Sequence, residues 1–124
     1  MRSERGNVTL IAVAGVGLAL VCCLGVARVG SAVALQARAD TAADAAALAG
    51  ADALALGRGS SDAADAARAA AADNDARLVG CLCEGNVAEV TVELTGAIGT
   101  AHGHARAEVD LSRVPPLSPG GRAG

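Results

Sequence analysis

The pattern of hydrophobic positions opens with an almost unbroken apolar run over 8–27, in which Thr9 is the polar exception. A helix of about twenty residues rises roughly 30 Å, which matches the hydrocarbon core of a bilayer. Because a helix satisfies its own backbone hydrogen bonds, it can remain in lipid. We therefore predict a transmembrane helix over 8–30, preceded by a cytoplasmic N-terminus over 1–7.

The apolar run passes into an alanine-rich stretch without proline, so nothing in the sequence ends the helix there. We predict one helix from about Asn7 to Leu56, with its first part in lipid and its later part in water. The segment 31–57 is predicted as a helical stalk outside the membrane. Alanine suits this role because it loses no side-chain entropy in a helix.

A glycine-containing break follows the stalk and predicts the start of a second helix over 61–75. Ser60 or Ser61 is a candidate N-cap, because a serine hydroxyl can accept a hydrogen bond from a free N–H of the first turn.

Beyond this helix the pattern changes to alternation of apolar and polar residues, which is typical of half-buried strands. The alternation covers 87–94 and 104–111, and a shorter apolar run at 78–83 is joined to the first of these by the turn sequence Glu84-Gly85-Asn86. Three such strands can pair antiparallel, with the second helix packed on the sheet.

The predicted fold class is therefore α+β: a long N-terminal transmembrane helix that continues into solvent, then a short helix on a small antiparallel sheet. The helix and sheet form a predicted extracytoplasmic domain over 60–112. The segment 113–124 is rich in proline and glycine and is predicted to be a disordered tail.

Composition narrows the function. The 124-residue chain has no Phe, Tyr or Trp and a formal net charge of -3, which argues against nucleic-acid binding. Much of its 52% hydrophobic content is alanine, which adds little area to a core. No catalytic constellation is visible, so we expect no enzyme, no cofactor and no small-molecule substrate.

The alternative to a retained anchor is a cleaved secretory signal, since Ala32-Val33-Ala34 fits a small-x-small cleavage site. It would release a small secreted binding protein near Ala34, with metal binding as one option. The apolar run is longer than the hydrophobic region of a signal peptide, which has roughly 7–15 residues, and this favours a retained anchor. Arginines flank both ends of the apolar run equally, so the positive-inside rule does not set the orientation. The short N-terminus and the soluble remainder favour an N-terminus inside and a C-terminal domain outside. We expect a single-pass protein of the plasma membrane.

Small residues recur at every fourth position of the span, along one helix face. This small-residue stripe consists of Gly15, Ala19, Cys23, Ala27 and Ser31. Small side chains let a second helix approach closely in lipid, so the stripe predicts helix packing. In an alanine-rich chain such a stripe also arises by chance.

Two pairs of metal-ligating residue types occur in the strand region, Cys81 with Cys83 and His102 with His104. Their chemistry suits zinc, but the spacing is not that of a zinc finger, and ordinary strand and loop residues are the simpler interpretation. We expect no metal, with these four residues as the alternative site. A disulfide between Cys81 and Cys83 would close a tight ring, so an interchain bridge or free thiols stay open.

Several segments resemble TadE/TadG-like minor pilins of the Flp-type tight-adherence pilus system, especially short actinobacterial TadE-like proteins. They are Arg-Gly-Asn-Val-Thr-Leu-Ile at 5–11, the alanine-rich segment 36–51, Asn-Asp-Ala-Arg-Leu-Val-Gly-Cys at 74–81, and the strand 87–94. The resemblance extends to about Leu111.

The resemblance implies a helix that holds the protein in the membrane and packs with other pilin-like or assembly-complex subunits. It implies that Gly6 is the last residue of a leader and Asn7 the mature start. This sequence departs from the family at Ile11, where a glutamate is usual. It also has Ser60 and Ser61 where short members often carry a cysteine that could pair with the one at Cys81. The resemblance thus implies a membrane-anchored structural or assembly component.

Overall fold

The structure, a computed structural model, describes residues 4–113. Its elements are α1 Glu4–Ala55, α2 Ser60–Asp73, β1 Arg77–Glu84, β2 Val87–Gly96, β3 Gly99–Glu108 and a short 3-10 helix Leu111–Arg113. The α+β class is confirmed. The predicted tail over 113–124 lies outside the described residues apart from Arg113, and so do the first three residues of the predicted N-terminus.

The chain divides into two compact units, Met1–Ala34 and Leu35–Gly124. The described part of the first unit is helix throughout, in line with the prediction of one helix to about Leu56, although α1 begins at Glu4 and ends at Ala55. Its side chains are exposed wherever they are described.

In the second unit, three strands form an antiparallel sheet in the order β1-β2-β3. The predicted turn is confirmed: β1 ends at Glu84, β2 begins at Val87, and Gly85 between them has φ 61°. The alternation predicted for β2 is confirmed too, because Ala88, Val90, Val92 and Leu94 are buried on one face.

The prediction for the third strand was wrong at both ends, since β3 runs over Gly99–Glu108 instead of 104–111. Thr95 pairs with Thr100 and Gly96 with Gly99, so a tight turn joins β2 to β3. The first half of β3 was missed because its inward positions carry only Ala101 and a glycine, which give no apolar signal.

Alanine builds the core of this unit. The second half of α1 buries Ala39, Ala42, Ala43, Ala46, Ala47, Ala51 and Ala53. The first five of these cluster with the inner face of the sheet, where Val90 and Val92 are the largest fully buried side chains of the described residues. The segment predicted as a separate stalk therefore belongs to the folded unit, because its alanine face is the surface that covers the sheet.

Helix α2 buries Ala63, Ala67 and Ala71, and it contacts β1. The predicted serine cap was wrong: Gly59 occupies the N-cap position, and no side chain hydrogen-bonds there. At the other end the helix stops at Asp73, and Asp75 adopts φ 58° so that Ala76 N–H can donate to Ala71 O.

Candidate functional site

The first unit exposes an apolar surface along its described length. Its large apolar side chains are 60–74% exposed, namely Val8, Leu10, Ile11, Val13, Val16, Leu18, Leu20, Val21, Leu24, Val26, Val29 and Val33. Water-soluble monomers rarely expose apolar patches of this extent. Within the described residues one helix, Gly6–Ala55, is long and apolar enough to cross a membrane, with a mean hydropathy of 2.6 in its most apolar window.

The small-residue stripe lies on this helix and is exposed along its whole length. The hydroxyl of Ser31 donates to the carbonyl oxygen of Ala27 at 2.9 Å, so it brings no unsatisfied donor to the helix surface. A side chain at Gly15 would meet open space. The stripe can therefore admit a second helix closely, and this packing stays a prediction.

The predicted processing point lies near the start of α1, where Gly6 and Asn7 are both helical and exposed. No structural feature of the described residues distinguishes this bond from its neighbours, so leader cleavage also stays a prediction.

The structure does not bring the two candidate metal-ligand pairs together. Cys81 and Cys83 face the core side of β1, whereas His102 and His104 are exposed on the opposite face of β3. Strand β2 lies between them. In residues 4–113 no group of three or more His, Cys, Asp or Glu side chains is arranged to hold a metal ion.

The two cysteines are instead joined to each other by a disulfide, with their Cα atoms 5.5 Å apart. This differs from the expectation that so tight a ring makes a poor bridge. They share a face because side chains two positions apart in a strand point to the same side. The register between β1 and β2 shifts between Leu78 and Gly80, which brings Leu78 onto that face as well. Ser60 and Ser61 line a cleft beside the disulfide.

His104 belongs to a row of polar cross-strand contacts on the outer face of the sheet. His104 Nε2 lies 3.3 Å from Glu89 Oε1, and His104 Nδ1 lies 3.2 Å from Thr91 Oγ1. Arg106 Nη1 lies 3.9 Å from the second oxygen of Glu89. Such partly exposed pairs contribute under about 1 kcal/mol each, so this row indicates a solvated sheet face.

One contact between α1 and the sheet was not found from sequence. The side-chain amide of Gln36 donates to the carbonyl oxygen of His102 at 2.9 Å and to Asp40 Oδ1 at 3.0 Å. The i, i+4 spacing of Gln36 and Asp40 indicates their mutual bond. The bond to His102 spans 66 positions of the chain and has no local pattern.

Residues 6–53 match the model of a family described as putative Flp pilus-assembly TadE/G-like. The matched segment contains the exposed apolar helix and most of the alanine-rich face, and it is less than half of the chain. No curated protein matches the chain, and no solved structure matches it. The resemblance to the TadE/TadG-like family is thereby supported over this segment.

Proposed function

We propose that this chain is a membrane-anchored structural or assembly component of a Flp-type pilus system, similar to a minor pilin. The observation that carries the proposal is the coincidence of the family match over 6–53 with the uncovered apolar helix. In lipid the exposed apolar side chains no longer contact water, which lowers the free energy by about 25 cal/mol for each Å² of apolar surface.

The proposed orientation is N-terminus inside and folded unit outside. The disulfide between Cys81 and Cys83 supports it, because disulfides persist in oxidising compartments and are rare in cytosol.

The proposed activity is binding to other subunits through helix packing, without catalysis. The small-residue stripe is the proposed contact face within the membrane. Small side chains allow close backbone approach, and packing is the main force that joins helices in lipid.

Membrane anchoring is tested by carbonate extraction of native membranes, followed by N-terminal sequencing of the mature chain. We expect the protein in the pellet with Asn7 as its first residue. An uncut chain in the pellet would support an anchor without pilin processing. A soluble chain that begins at Leu35 would overturn the anchor and support the secreted binding protein instead.

Subunit packing is tested by placing a photo-crosslinking amino acid in the span in native cells. Position Ala19 lies in the stripe, and the matched control Val21 lies about 160–200° around the helix from it at 100° per residue. We expect Ala19 to crosslink to pilin-like or assembly subunits, identified by mass spectrometry, and Val21 to label mainly lipid. Equal protein labelling from both positions would contradict the stripe as the contact face.

A further inference from the structure

The Cys81–Cys83 disulfide encloses one residue, Leu82, within a single strand. A disulfide stabilises a fold mainly by closing a loop of the unfolded chain, and its effect grows with loop length. This bridge encloses a single residue and joins no separate elements. Its contribution to holding the fold together is therefore small, and stability does not explain its presence.

The disulfide lies in a cleft that is also lined by Leu82, Glu84 and the first two residues of α2, Ser60 and Ser61. A partner thiol can therefore come up to the bridge from this cleft.

The two sulfurs differ in access. Cys83 is 3% exposed and packs with Ala63 and Ala88, whereas Cys81 is half-buried. Strand β1 is at the edge of the sheet, and Leu82 between the cysteines is 70% exposed. A thiol that approaches from this edge reaches Cys81 first.

We propose that Cys81–Cys83 is a thiol–disulfide exchange site that takes a thiolate as its partner. The incoming thiolate attacks Cys81 Sγ, a new disulfide forms between these two sulfurs, and the bond to Cys83 breaks. Cys83 leaves as a thiolate, so the incoming sulfur is oxidised and Cys83 is reduced. In the reverse step the Cys83 thiolate attacks Cys81 Sγ and releases the partner thiol. No other oxidant or reductant is needed.

The test uses the full chain in detergent micelles, with Cys22→Ser and Cys23→Ser in every sample so that one cysteine pair remains. Reduced glutathione is added, free thiols are alkylated, and the adducts are located by mass spectrometry of peptides. We expect a glutathione disulfide on Cys81 and an alkylated thiol on Cys83. Absence of any mixed disulfide, or a glutathione adduct found mainly on Cys83, would overturn the proposal.

Single-cysteine variants give a second measurement. The Cys83→Ser variant leaves the Cys81 thiol and the Cys81→Ser variant leaves the Cys83 thiol, and both react with glutathione disulfide. We expect Cys81 to react about tenfold faster or more, because the reactivity of a thiol follows its access and Cys83 is buried. Equal rates in variants that keep the parent circular dichroism spectrum would contradict the assigned roles.

The source of the thiol is distinguished in a sample without glutathione. Chains that keep the Cys81–Cys83 disulfide are mixed, without air, with chains that carry only the Cys81 thiol, and the alkylated mixture is run on a non-reducing gel. A disulfide-linked dimer would support a second copy of this chain as the exchange partner. No dimer here, together with the glutathione adduct on Cys81 in the first experiment, would support a small thiol.

Discussion

Gly103 on β3 lies directly against the backbone of Ala39 on α1. A Cβ added to Gly103 would overlap the carbonyl group of Ala39 and lie 3.0 Å from the backbone nitrogen of Asp40. Helix and strand thus meet with no side chain between them at this point. This contact holds the alanine face of α1 close enough for small side chains to fill the core.

Gly103→Ala is expected to destabilise the folded unit by about 1–3 kcal/mol or more, since the added methyl group meets backbone that cannot rotate away. The measurement is thermal unfolding of the full chain in micelles by far-ultraviolet circular dichroism, because the chain has no aromatic side chain for fluorescence. Gly80→Ala is the matched control, since a Cβ there meets nothing within 4 Å. Equal midpoints for the two variants would refute the close contact.

Val90 carries much of the core because its neighbours are mostly alanine. It is fully buried on the central strand. Val90→Ala is expected to lower the free energy of unfolding by about 2 kcal/mol, from two lost methyl groups and the cavity they leave. The exposed valine Val79 on β1 is the control, and Val79→Ala is expected to change stability by about 0.5 kcal/mol or less. A similar loss at both positions would mean that Val90 is not packed as described.

Asp75 has φ 58°, a left-handed conformation that favours glycine over residues with a Cβ. Stability is expected to rise for Asp75→Gly and to fall for Asp75→Ala, with about 1–2 kcal/mol between the two variants. Chemical denaturation of the full chain checks the order. An alanine variant at least as stable as the glycine variant would show that this turn is not left-handed.

The solvent around the first part of α1 can be tested with two leucines of similar exposure. Leu18 is 67% exposed and Leu48 is 61% exposed, on the same helix. Leu18→Arg is expected to release part of the protein from carbonate-washed membranes, since replacing leucine by arginine at a span centre is unfavourable by about 3 kcal/mol. Leu48→Arg should leave the membrane fraction unchanged. Release of both variant proteins from the membranes, or of neither, would contradict the inference that only the first unit lies in lipid.

The pattern of apolar residues was sufficient for the elements that depend on local sequence. The long helix follows from alanine, leucine and the absence of proline before residue 56, and β2 follows from strict alternation between Ala88 and Leu94. The start of β3 did not follow, because Gly103 faces inward for a reason that exists only when Ala39 is beside it. Likewise, the sequence analysis placed only the second helix on the sheet, and no local pattern indicated that the alanine face of α1 covers it too.

The sequence by itself determined where the chain can be stable in lipid, because an almost unbroken apolar run of about twenty residues needs no tertiary partner to form and insert a helix. It also determined the α+β class and the small-residue stripe, since both are periodicities. Only the tertiary structure decided that the alanine-rich face is a core surface and that Cys81 bonds to Cys83. It also decided that His102 and His104 lie on the opposite face of the sheet from the two cysteines. Those outcomes depend on contacts between residues distant in the chain, whose geometry no local pattern contains.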